Sequence, residues 1–364
     1  MIYLDNAAST HLCDAAKNAI LEHIDDFGNP SSSHELGREA RLLIESARER
    51  IAKCINAEPN EVYFTSGGSE ANTWALHNKF SLSSSVEHHS LRSNLHIQVD
   101  KYGRVDPCKL EKTICNAQVE HWYPIDIVSC MYVNNEIGTI NDVKMLSQVA
   151  HDNNVLFHSD AVQALPHIKV DVKDLNVDML SASAHKFNGP RGVGFLYVKG
   201  GTKIEPLIYG GLQESGLRSG TENVLGIIAM AAALEETVEH METRNELVGY
   251  LRDDMLSELL KIDGSHLHGS VENRICSNIN IRFDGVSGKR LVSLCDMYGV
   301  CISTGSACNQ GLETPSHVLK GIGMSNEEAL SSVRISIGHQ NTLNEVLEAA
   351  NTIKFLVERV RENE

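Results

Sequence analysis

Short apolar runs alternate with longer amphipathic stretches over the first two-thirds of the chain. Val62-Tyr63-Phe64, Ile125–Tyr132, Val155–His158, Met179–Ser183 and Gly194–Val198 have strand length and are largely apolar, the pattern of strands buried on both faces of a sheet. Apolar residues recur at helical spacing in Asp14–Asp25, Glu35–Asn56 and Val143–Asn153, and a further helix is expected from Ser69 toward Lys79. Strands alternating with helices predict an α/β fold, its mainly parallel sheet flanked by helices. Ser81–Ser85 reads only as a loop. From about Val224 the pattern changes. The longest apolar stretch, Val224 to Leu234, is too short to span a bilayer and predicts the buried start of a helix running through Glu246 and beyond. There follow a strand at Asn278–Phe283, a helix near Arg290–Tyr298, a loop at Ser303–Pro315, a strand near Val333–Ile337 and a helix from Leu343 to Val360. That is a smaller α+β domain. The expected division is 12–242 for the large domain, with 1–11 and 243–364 forming the small one, because the N-terminal segment must pack somewhere.

A length of 364 residues suits two domains. The net charge of −16 argues against direct nucleic-acid binding through a general basic surface. The nine cysteines form no zinc-like pair and no disulfide framework, and their odd number suits a reducing compartment. Met1-Ile2-Tyr3-Leu4 runs straight into Asp5-Asn6, without a basic start or an apolar core segment. The expectation is a cytoplasmic protein with no membrane association.

Two strand ends carry candidate chemistry. Ser183-Ala184-His185-Lys186 follows one apolar run and Asp160-Ala161-Val162-Gln163 follows another. A lysine at one strand end and a carboxylate at its neighbour suit pyridoxal phosphate: the lysine would hold the cofactor as a Schiff base, and the aspartate would keep the pyridine nitrogen protonated. A surface lysine and a helix-capping aspartate are the plain alternative. Thr65-Ser66-Gly67-Gly68-Ser69-Glu70 lies between a strand and a helix. Its glycines permit close backbone approach, and the helix N-terminus offers free N–H groups to a phosphate. The Ser69 hydroxyl adds a bond or acts as N-cap. Neither a Walker loop nor a GxGxxG fingerprint is present.

These segments, with Tyr3–Ala8, Gly28–Ser32, Glu87-His88-His89, Val133–Thr139, Arg218–Thr221 and Ser303–Cys308, resemble the cysteine desulfurases along nearly the whole chain and in order. The similarity is greatest to the branch serving iron–sulfur assembly and nitrogenase maturation. The resemblance implies a fold type I pyridoxal phosphate enzyme, with a sheet of the seven-stranded type, and a homodimer. Lys186 would be the Schiff-base lysine. His88 would stack on the pyridine ring, where an imidazole can exchange protons with substrate; a hydrogen-bonded loop histidine is the alternative. Asp160 would pair with the ring nitrogen, and Gln163 and Asn135 with the ring oxygen region. Gly68, Ser69, Ser183 and His185 would hold the phosphate, and Thr221 would reach the phosphate of the partner subunit. Arg334 would bind the substrate carboxylate bidentately, with Asn29 assisting; a surface salt bridge is the alternative for Arg334.

Cys308 separates desulfuration from other pyridoxal phosphate reactions. It stands among small and polar residues before Gly311, where a thiolate could attack substrate sulfur and carry it away. Cys276, Cys295 and Cys301, in apolar contexts, read as structural. The resemblance implies conversion of L-cysteine to L-alanine, leaving a Cys308 persulfide for a protein sulfur acceptor or cluster scaffold in iron–sulfur assembly, tRNA thiolation or DNA sulfur modification. Cys308 could also transiently ligate an iron–sulfur cluster; no other metal ligand is suggested. An aminotransferase has no need of Cys308, a selenocysteine lyase would prefer selenium substrate, and a non-catalytic relative would lack Lys186, Asp160 or Cys308. Ser69 stands where many relatives have Thr, and Ala184 where Gly is frequent. Only Arg361–Glu364 follows the last expected helix, so docking of a scaffold through a longer extension is not expected.

Overall fold

The computed structural model describes residues 1–120, 124–305 and 314–362; in the helix ending at Glu120, side chains are described to Ala117. The strands are β1 (Ile2–Tyr3), β2 (Val62–Thr65), β3 (Ser81–Ser84), β4 (Leu95–Ile97), β5 (Ile127–Ser129), β6 (Leu156–Asp160), β7 (Met179–Ser183), β8 (Gly194–Val198), β9 (Ser265–Leu267), β10 (Asn278–Phe283), β11 (Val300–Cys301) and β12 (Ser332–Ser336). The helices are α1 (Asp14–Glu22), α2 (Glu35–Ile55), α3 (Gly68–Ala75), α4 (Pro107–Glu120), α5 (Val143–Asp152), α6 (Val172–Leu175), α7 (Val224–Leu259), α8 (Gly288–Met297), α9 (His317–Gly321), α10 (Asn326–Leu330) and α11 (Leu343–Glu362).

A seven-stranded sheet in the order β2-β8-β7-β6-β5-β3-β4 forms the centre. β8 runs against both its neighbours; the other pairs are parallel. Strands β2, β3, β5, β6 and β7 therefore share one direction and end at one edge of the sheet, where an open α/β sheet places its ligand. Buried Phe157, Leu180 and Phe195 come from its inner strands.

Ser81–Ser84 is a strand, not a loop, and all four residues are buried between β4 and β5. Serine has low strand preference, but here the hydroxyls find partners. Ser83 Oγ lies 2.6 Å from Ser93 Oγ, Ser84 Oγ donates to Glu87 Oε1 at 2.5 Å, and Ser81 Oγ donates to Asn94 Oδ1 at 3.3 Å. With the hydroxyls satisfied and the backbone paired on both sides, burial carries no large polar penalty.

The small antiparallel sheet is β12-β10-β9, and β1 pairs with β11 in parallel. A second apolar core holds Ile2 and Leu4 with Ile279, Ile281, Phe283, Val333, Ile335 and the inner face of α11. Helix α7 joins the two cores. Ile227–Leu234 packs into the first with α1 and α2, whereas Val248, Leu251, Met255 and Leu259 belong to the second. Among the described residues, no helix is long and apolar enough to cross a membrane.

Candidate active site

The shared strand direction brings distant motifs together. β2 leads into Gly67 and α3, β3 into Glu87-His88, β5 into Asn135, β6 ends at Asp160, and β7 leads through Ser183 to Lys186. Between them lies a cavity of about 350 Å³. Gly68, Ser69, His88, Asn135, Asp160, Gln163, Ser183, His185, Lys186 and Arg334 line it.

The N-terminal segment crosses this edge. Lys186 Nζ donates to the carbonyls of Ala7 at 2.6 Å and Ala8 at 2.9 Å, and Gln163 Nε2 donates to Ala7 at 2.9 Å. Asp160, buried at the end of β6, accepts from Val162 N–H at 2.9 Å through Oδ1 and from Asn72 Nδ2 at 2.6 Å through Oδ2. His88 turns Nδ1 toward Ser90, 2.7 Å from its hydroxyl and 3.2 Å from its backbone nitrogen. Burial depresses the His88 pKa, with Asp160 opposing and Lys186, His89 and His317 adding to the depression. Burial beside Lys186 and Arg191 brings His185 down to about 4, so this imidazole is neutral at physiological pH.

The donor set fits a phosphate-bearing cofactor. Gly67 caps α3 at φ 149°, and the first-turn N–H groups of that helix have no carbonyl one turn earlier to satisfy them. A Cβ on Gly68 would come 2.7 Å from Val162 Cγ2 and 3.4 Å from Ser183 Cβ, so the cradle admits no side chain there. The buried carboxylate of Asp160 is the partner a protonated pyridine nitrogen requires, and Lys186 and His88 line the same cavity. Arg334, 3% exposed on β12, donates from one terminal nitrogen to Asp5 Oδ1 at 2.8 Å and from the other to the Asn135 carbonyl at 3.0 Å. Its Nε is buried without a partner. That leaves a donor available to an incoming carboxylate.

The Aminotransferase class-V family model matches residues 2–348. A cysteine desulfurase, IscS, from Dictyoglomus turgidum is 41% identical over 382 residues, covering 99% of this chain and 95% of its own. A solved NifS-like protein superposes with a TM-score of 0.88 at 32% identity, over 98% of this chain and 99% of that one. A structure of SspA in complex with cysteine gives 0.79 at 30% identity, over 94% of this chain and all of that one. The chain belongs to the cysteine desulfurases.

Measured against what a desulfurase needs, some expected residues lie elsewhere in the single chain. Asn29 is exposed, with its Oδ1 accepting from Ser31 N–H, and does not line the cavity. Thr221 is exposed beside Phe64 and Thr65. Cys308 lies outside the described residues. Among those that are described, no group of three metal-ligating side chains comes together. Ser69 is not the N-cap of α3; Gly67 is, and Ser69 lies inside the first turn. Nor is Arg334 a surface ion pair: β12 carries it into the interior.

The structure also adds residues that sequence patterning missed. Asn72 stands one turn after Gly68 on α3 and reaches Asp160. His317 also lines the cavity, with His89 and Glu136 from motifs already quoted from the sequence. The His89 and His317 rings lie 4.4 Å apart. The signal for Asn72 was the i, i+4 spacing from Gly68, which places both on one face of a helix.

Proposed function

We propose that this protein converts L-cysteine to L-alanine and passes the sulfur to Cys308, with pyridoxal phosphate as cofactor. The observation that carries this reading is the convergence of Lys186, Asp160, His88 and Arg334 on one cavity in a chain of this family. Bound pyridoxal phosphate supplies an electron sink that makes the Cα proton of an attached amino acid labile. The protein does the rest. Gly68, Ser69, Ser183 and His185 hold the phosphate, while Asp160 keeps a proton on the ring nitrogen and Gln163 and Asn135 face the ring oxygen. Arg334 takes the substrate carboxylate, and Lys186 carries the Cα proton. His88 sets its imidazole beside the substrate thiol. In the transfer the Cβ–S bond of cysteine breaks and an S–S bond to Cys308 forms. The carbon fragment leaves as alanine, so cysteine plus a thiol gives alanine plus a persulfide.

The acceptor of that persulfide is a protein, a cluster scaffold or a tRNA- or DNA-modifying enzyme. A cytoplasmic setting fits the described cysteines, all of which are free thiols. Alanine release from L-cysteine, measured with and without added pyridoxal phosphate, tests the reaction. Cys308→Ala is expected to retain cofactor absorbance and lose sulfur transfer, and Lys186→Ala to lose the absorbance band of the lysine-bound cofactor. Undiminished alanine production by Cys308→Ala would remove that residue from the reaction.

A further inference from the structure

A chain of hydrogen bonds beneath the cavity has its direction fixed by the chemistry of its members. Asn72 is 1% exposed, and its Nδ2 stands 2.6 Å from Asp160 Oδ2 and 3.0 Å from Ser90 Oγ. A carboxylate only accepts, so the amide nitrogen must face Asp160. Its second hydrogen goes to Ser90 Oγ, which is left with one proton to give. His88 Nδ1 lies 2.7 Å from that hydroxyl and 3.2 Å from the Ser90 backbone nitrogen. A backbone N–H only donates, so Nδ1 must accept. The neutral ring therefore carries its proton on Nε2, the ring nitrogen outside the chain of bonds.

We propose that Asn72 and Ser90 are positioning residues that tie Asp160 to His88 and hold the imidazole as the neutral Nε2–H tautomer, so that His88 meets the substrate sulfur as a hydrogen-bond donor and not as a base. Protonating Nδ1 would set its new N–H against the Ser90 N–H and force the Ser90 hydroxyl to turn away from its role as donor. The charged groups around His88 act in both directions. Asp160, from β6, favours the cation. Lys186, from the segment after β7, His89, next in sequence, and His317, from α9, oppose it. The relay adds a local constraint to this balance. A donor facing the substrate sulfur favours the thiolate, so cysteine would bind with its thiol proton released to water. One further atom fits a positioning role: Asn72 Oδ1 is buried without a partner. Both hydrogen bonds of the Asn72 side chain are made by its amide nitrogen, to Asp160 and to Ser90.

This inference deepens the desulfurase reading, but its first test needs no turnover. Nitrogen-15 spectra of histidine-labelled wild-type protein, cofactor-free and cofactor-loaded, with His88 assigned by its absence in His88→Gln, should show Nδ1 unprotonated and Nε2 protonated. A protonated Nδ1 in both forms overturns the relay while leaving desulfuration to be judged on alanine release. Ser90→Ala removes the hydroxyl and keeps the backbone donor; Asn72→Ala cuts the link to Asp160. Each should shift the His88 nitrogen signals toward a tautomer mixture. Each should also lower kcat about tenfold, the scale of one lost hydrogen bond, with KM for L-cysteine little changed and the acid limb of the kcat profile displaced. If Asn72→Ala does not fold, Ser90→Ala and the wild-type spectra decide. Unmoved His88 signals with unchanged kcat in Ser90→Ala would overturn the proposal.

Discussion

At the scale of single residues, Glu87 shows how burial sets a charge. Its Oε1 accepts from Ser84 Oγ and from Met131 N–H at 2.9 Å, and its Oε2 is buried without a partner. Burial raises its pKa from 4.5 to about 8, against the pull of those two bonds. The folded protein thus holds a proton that the unfolded chain has released between those values. The stability tied to this proton is fully present below about pH 4.5 and is lost as pH rises toward 8. Histidines such as His158, lowered to about 3 by burial, act oppositely, and their contribution is lost as pH falls below the ordinary imidazole range. Comparing wild type with Glu87→Gln separates the two. The wild-type melting temperature is expected to fall relative to the variant between pH 5 and 8; parallel curves would refute the assignment. Sequence patterning identified Lys186 and Asp160 because each ends an apolar run. It missed Asn72 and Ser90, whose significance depends on how α3 crosses the loop after β3, and a lone polar residue carries no periodic trace of such a crossing.

At the scale of elements, the site exists because strands of one direction end together, and β8 is what sets their spacing on one side. Gly194 starts β8 between Thr65 of β2 and Ser183 of β7. A Cβ there would stand 2.4 Å from the Ala182 carbonyl and 2.8 Å from Gly67 Cα. Both are backbone atoms, so no rotamer change relieves the clash. Gly194→Ala is expected to destabilise the fold by about 1–3 kcal/mol, the usual range for overpacking. It should also weaken pyridoxal phosphate binding, because Gly67 begins the phosphate cradle. Thermal melts and absorbance titration with the cofactor measure the two effects, and a variant with unaltered affinity would show that β8 does not set the cradle. Strands rich in Val, Ile, Leu and Phe were legible from their apolar runs, several to the residue. β3 was not, because its burial rests on hydroxyl partners from Ser93, Asn94 and Glu87 rather than on apolar side chains. Helix ends were read a few residues off, too long at Asp14–Asp25 against the observed Asp14–Glu22 and too short at Leu343–Val360 against the observed Leu343–Glu362.

At the scale of the molecule, we propose the division into 12–242 and a small domain of 1–11 with 243–364, with α7 shared between their cores. Among the described residues, the two expected site residues absent from the cavity, Asn29 and Thr221, are both exposed. Gln213 Nε2 donates to Ser31 Oγ at 3.2 Å and Gly220 N–H to Gln213 Oε1 at 3.3 Å, which draws the Asn29 loop and the Thr221 loop onto one surface. The same two loops expose Phe27 at 83%, two residues before Asn29, and Leu212 at 89%, next to Gln213. A twofold homodimer through this face would bury both and deliver Thr221 to the partner's phosphate cradle. The double substitution Phe27→Glu, Leu212→Glu should leave a folded monomer by light scattering, with pyridoxal phosphate affinity reduced about tenfold, the scale of one lost hydrogen bond to a charged phosphate. Mixing subunits gives the sharper test. A dimer of one Lys186→Ala chain and one Thr221→Ala chain contains one site with both defects and one with neither, if Thr221 acts across the interface. Alanine release is then expected to reappear on mixing two weak homodimers. If Thr221 serves its own chain, every site in the mixture keeps one defect and no activity is regained.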